Sequence, residues 1–71
     1  MTRDEFREWC AFMERRMGWS KSKAEHAWAL GVSLDTLRNW LYRDNRPIPR
    51  TVAILCALLQ VQAESTQPPP E

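Results

Sequence analysis

Ser22-Lys23-Ala24-Glu25-His26-Ala27-Trp28-Ala29-Leu30-Gly31-Val32-Ser33-Leu34-Asp35-Thr36-Leu37-Arg38-Asn39-Trp40-Leu41-Tyr42 is the stretch on which the fold of this 71-residue chain turns. Ala27, Gly31 and Leu37 stand four and then six residues apart. A small residue at 27 lets two helices approach closely, and glycine at 31 permits a left-handed turn. The apolar Leu30, Val32, Leu37 and Trp40 lock the second helix across the first. Ser22, with Glu25 three residues later, has the form of a capping box, which predicts a helix from Lys23 to Leu30 with His26, Ala27 and Leu30 inward. Ser33 is a good N-cap and Asp35 suits the positive end of a helix, so a further helix is predicted through Leu37, Trp40 and Leu41. Together they make a helix-turn-helix, a motif that can lay its second helix in the major groove of DNA.

Upstream, Phe6, Trp9, Cys10, Met13 and Met17 recur at three-and-four spacing, which predicts a helix over 3–16 ended by Gly18, with Phe12 off the stripe. Downstream, Asp44-Asn45 forms a stop and Arg46-Pro47-Ile48-Pro49 an extended turn, because proline disfavours helix at the residue before it. Pro49 suits the first turn of a last helix running to about Val61. Its unbroken apolar run from Val52 to Leu59 is hydrophobic on every side, so it must be buried all round or shared with another molecule, and sharing is the reading for so small a domain. The expected fold is all-α: a compact four-helix domain over 1–62 with a central helix-turn-helix, then a disordered proline-rich tail over 63–71.

A chain of this size has a core with roughly 3–5 kcal/mol to spare, so it needs a partner or very good helix packing. Cys10 and Cys56 lie far apart within runs of helical apolar spacing, which fits buried thiols in a reducing cytoplasm. The charged start has no apolar signal core behind it, and the run 52–59 is too short to cross a bilayer. The net charge of +1 hides an uneven distribution. Residues 19–50 carry Lys21, Lys23, Arg38, Arg43, Arg46 and Arg50 against Glu25, Asp35 and Asp44, while the start is balanced and the tail acidic. Phosphate contact is local on a Debye length of about 8 Å, so the basic middle outweighs the total.

With Leu37, Trp40 and Leu41 inward, Ser33, Leu34, Asp35, Thr36, Arg38 and Asn39 occupy the accessible arc of the second motif helix. Arg38 could pair with guanine O6 and N7, Asn39 with adenine N6 and N7, Leu34 with a thymine methyl, and Asp35 with cytosine N4. Phosphate contacts are expected from Lys21, Ser22, Lys23, Tyr42, Arg43, Arg46 and Arg50. Trp9 and Trp40 read as core. Trp28, beside inward Ala27, also reads as core, with packing on a partner or along the DNA backbone as its alternative.

Ala27-Trp28-Ala29-Leu30-Gly31-Val32-Ser33, then Thr36-Leu37-Arg38-Asn39-Trp40 and Arg46-Pro47-Ile48-Pro49, resemble the lambda repressor/Cro-like (XRE) family over roughly residues 17–60. Here His26 stands where that family usually has leucine, and no sequence is left for its customary fifth helix. The resemblance implies a compact helical domain that binds operator DNA as a homodimer and acts as a repressor, many such proteins belonging to phages, plasmids and antitoxin operons. Ile54, Leu58 and Val61 of the apolar last helix are the expected dimer interface.

One histidine, no glycine-rich phosphate loop and no nucleophile beside a base argue against catalysis, and no metal, cofactor or small-molecule substrate is expected. The rival reading is a protein-interaction module, such as an antitoxin, phage inhibitor or adaptor, that keeps the helix-turn-helix skeleton but gives its apolar last helix and tryptophans to a protein partner.

Overall fold

Thr2 and Glu5 open the first helix reciprocally. The Thr2 hydroxyl accepts from the Glu5 N–H at 3.1 Å, and the Glu5 carboxylate accepts from the Thr2 N–H at 2.9 Å. This helix, α1, spans Arg3–Met17 and stops at Gly18, whose left-handed backbone lets its N–H reach the Glu14 carbonyl. The computed structural model describes residues 1–43 and 47–65. Phe6, Trp9, Cys10 and Met13 are buried as their spacing requires, and Phe12 packs half-buried at the margin. Met17 leaves the stripe: it is exposed, because the chain turns away at Gly18 before anything covers it.

The second helix begins later than the Ser22 signal implies. Its first residue is Ala24, preceded by Lys23 in the left-handed region at φ 74°, and α2 spans Ala24–Leu30. Ser22 caps nothing. Its N–H donates to the Ser20 hydroxyl, and the Glu25 carboxylate accepts from the Ser20 N–H, so the hydroxyls of the 20–22 turn bind one another. Lys23 adopts an unfavourable backbone while its ammonium sits 2.7 Å from Glu14 of α1. His26, Ala27 and Leu30 face inward as expected. At Gly31, φ 70°, the N–H reaches the Trp28 carbonyl and the Val32 N–H reaches that of Ala27, the paired bonds of a Schellman close.

Ser33 caps α3, Leu34–Arg38, by accepting from the Thr36 N–H. The expected regular helix through Trp40 and Leu41 is instead a π-helical turn over Asn39–Arg43. The wider winding buries Leu37 and Leu41 together and leaves Trp40 half-buried, edge-on to Phe6 at 6.0 Å. Its carbonyls find donors on α1: Arg3 Nε donates to Trp40 O at 3.2 Å and Arg7 Nη2 to Leu41 O at 2.9 Å.

The last helix, α4, spans Arg50–Ser65, and the Pro49 carbonyl receives its first bond from Ala53. Pro49 therefore precedes the helix. The helix also outruns its expected end at Val61 by a turn: Ala63 is buried, and Arg16 of α1 donates to the carbonyls of Ala63 and Glu64. Residues 63–65 are thus helical, while the tail expected beyond them, like the stop at Asp44-Asn45, lies outside the described residues. Val52 and Cys56 face the core with Ile48, and Leu59 packs at its edge, so only one side of the apolar run is buried.

The protein is all-helical, with four helices around one core, and no strand occurs among the described residues. α1 packs against α4 and the π-helical turn, and α2 against α3 and α4. No helix of the described residues is long and apolar enough to cross a membrane.

Candidate nucleic-acid interface

Burial of Leu37 and Leu41 turns the opposite side of α3 and its π-helical turn outward. There Asp35, Arg38, Asn39, Tyr42 and Arg43 line a shallow concavity of about 460 Å³. All five side chains are exposed. Two guanidiniums stand against one carboxylate, and neither Arg38 nor Arg43 is held in an ion pair among the described residues. The Gly31 turn and the Ser33 cap fix where this helix begins, and the Arg3 and Arg7 bonds hold the far end of the surface.

The rest of the expected arc behaves differently. The Ser33 hydroxyl accepts from the Thr36 N–H and donates to Thr36 Oγ1 at 2.8 Å, so these two polar side chains hold each other. Leu34 is half-buried and packs against the core, so only part of its side chain is open to a thymine methyl.

Of the expected phosphate contacts, Tyr42 and Arg43 join the concavity, while Lys21 and Arg50 are exposed outside it. Ser22 is exposed in the turn before α2 rather than at its cap. Lys23 is corrected outright, since its ammonium is held by Glu14 and its side chain is largely covered. Arg46 lies outside the described residues.

Glu14 also approaches His26. Nε2 of the imidazole lies 3.2 Å from the Cys10 carbonyl and 3.4 Å from Glu14 Oε2. Both neighbours are acceptors, so the ring proton belongs on Nε2, leaving Nδ1 buried without a partner among the described residues. Edge-on packing against Trp9 at 5.7 Å and Trp19 at 4.9 Å completes the enclosure. Burial pushes the His26 pKa below its ordinary value, against the opposing pull of the Cys10 carbonyl and Glu14.

Trp28 overturns its core reading: it is 86 % exposed, because Ala27 and Leu30 occupy the inward side of so short a helix. Sequence reasoning assigned no role to Arg3, Arg7 and Arg16, whose guanidiniums donate to the carbonyls of Trp40, Leu41 and Ala63. The i, i+4 spacing of Arg3 and Arg7 was the available signal, since it places both on one side of α1. Among the described residues no cluster of three or more His, Cys, Asp or Glu side chains is placed to hold a metal ion.

Compared with known proteins, the chain matches no family model, no curated protein and no solved structure at a significant level.

Proposed function

We propose that this chain is a sequence-specific double-stranded DNA-binding regulator of the lambda repressor/Cro-like kind. It inserts α3 into the major groove and acts as a repressor or autorepressor in a prokaryotic or phage-infected cytoplasm. The observation that carries the reading is the shared exposure of Arg38, Asn39 and Arg43, with neither arginine in an ion pair among the described residues, on a helix whose other side is anchored by Leu37 and Leu41. Arg38 reads guanine, Asn39 reads adenine, and Tyr42 and Arg43 hold phosphates. Asp35 supports the helix dipole and accepts from cytosine where one is present. Two copies joined through Ile54, Leu58 and Val61 would read an inverted repeat with half-sites about 34 Å apart. No catalysis and no cofactor enter this reading.

Footprinting on the DNA upstream of its own gene, followed by gel shifts on the protected site, tests it. Arg38→Ala should cost about 1–3 kcal/mol of affinity with helix content unchanged. Undiminished binding would remove α3 from the recognition role.

A second reading, a protein-interaction module on the same skeleton, is favoured by Trp28, a large apolar side chain that is 86 % exposed. Under it, Trp28→Ala abolishes partner capture while Arg38→Ala is silent.

A further inference from the structure

On its outer side α4 is apolar and uncovered: Ile54, Leu55, Leu58 and Val61 are between 39 and 59 % exposed. Between Thr51 and Ala63 the helix carries no charge at all, and its charged residues stand only at the ends, Arg50 in the first turn and Glu64 in the last. Each has the wrong sign for its own helix, whose N-terminal end is positive and C-terminal end negative. In α1 the order is the favourable one, with Asp4 and Glu5 first and Arg15 and Arg16 last. Arg50, Ala57 and Glu64 follow one another at intervals of seven, so all three lie along one flank of the seam made by Ile54, Leu58 and Val61.

A second copy turned end for end about Ala57 reverses every unfavourable relation. Arg50 then lies beside the negative end of the opposite helix, and Glu64 beside the positive one. We infer that two copies pair through α4 in antiparallel register, with a two-fold axis near Ala57 and Arg50 of each subunit beside Glu64 of the partner subunit. Such an interface is self-complementary, as a closed two-fold dimer requires. A parallel pairing would instead gather both arginines at one end of the pair and both glutamates at the other, each still at the unfavourable end of its helix. Residues 66–71 of the same chain, Thr-Gln-Pro-Pro-Pro-Glu, offer no large apolar side chain to cover the seam instead. The inference rests on the homodimer in the reading above and is independent of DNA.

The full chain, examined by sedimentation equilibrium without DNA, should dimerise, and Leu58→Glu should be monomeric with unchanged helix content. Arg50→Glu and Glu64→Arg should each raise the dimer Kd about tenfold at low salt, and the combined variant should restore it. Arg50→Glu supplies the favourable charge to its own helix, so a chain with no partner would gain stability where the dimer loses it. For register, Thr51→Cys with Ser65→Cys should cross-link between subunits through a short bis-maleimide. Thr51→Cys alone should not, because its two copies lie about 18 Å apart along an antiparallel pair. The native Cys10 and Cys56 are buried and do not compete.

A monomer at 100 μM, cross-linking of Thr51→Cys alone, or a dimer insensitive to Leu58→Glu or to the charge reversals overturns the inference. A chain that dimerises in this register but ignores its own upstream DNA overturns the DNA reading alone. A monomer that binds DNA overturns the pairing alone.

Discussion

His26 donates from Nε2 to the Cys10 carbonyl and presents a buried Nδ1 with no partner among the described residues. A second ring proton would be enclosed with no acceptor, which is why burial outweighs the nearby Glu14 carboxylate and holds the folded pKa below the ordinary 6.5. The unfolded chain therefore takes up a proton at a pH where the folded one does not. Stability is complete above about pH 6.5 and falls as the pH drops through the window between that value and the depressed folded one, by no more than about 1.4 kcal/mol per pH unit. His26→Leu removes both the titration and the orphaned nitrogen. Urea midpoints between pH 7.5 and 5 should fall more steeply for the wild type than for this variant; parallel slopes would mean that His26 titrates normally in the fold.

The turn between α2 and α3 depends on Gly31 for its backbone and not for its size. A Cβ placed there meets nothing within 4 Å, so the left-handed φ of 70° is the whole objection to a side chain. Gly31→Ala should cost about 1–2 kcal/mol in urea or thermal unfolding, and Gly31→Asn less, since asparagine tolerates this region. Equal stability of all three would mean that the turn relaxes. This turn was legible because one residue type answers one backbone need, as were the Phe6, Trp9, Cys10 and Met13 stripe and the Ser33 cap. The start of α2 was not. Ser22 and Glu25 have the right spacing, but Ser20 offers a rival hydroxyl two residues earlier, and Glu14 of α1 draws Lys23 into an unfavourable conformation. A local pattern cannot register a charge that arrives from another helix. For the same reason the π-helical turn escaped prediction, since the Arg3 and Arg7 donors to its carbonyls come from the far end of the sequence. The outward side of α3 was legible where helix periodicity fixed it, in the exposure of Asp35, Arg38 and Asn39. The core packing of Leu34 and the Glu14 ion pair of Lys23 were not legible, because tertiary contacts decide them.

All four helices contribute to a single core, and the two thiols sample it from opposite ends of the chain, Cys10 on α1 and Cys56 on α4. Burial pushes both thiols up to about 12, with Cys10 adding to the shift at Cys56. Neither can therefore react with an alkylating reagent near pH 8 until the structure opens. If α1 and α4 separate only when everything unfolds, both cysteines must be protected by the same factor relative to the unfolded chain. With roughly 3–5 kcal/mol of stability, that factor is on the order of hundreds to thousands. Mass spectrometry of each cysteine-containing peptide over a labelling time course measures the two rates separately. Weaker protection of Cys56 than of Cys10 would mean that α4 undocks by itself, and the outer face could not then be a rigid surface. If that face is covered in a dimer, protection of both thiols should also rise together with protein concentration, because association stabilises only the folded state.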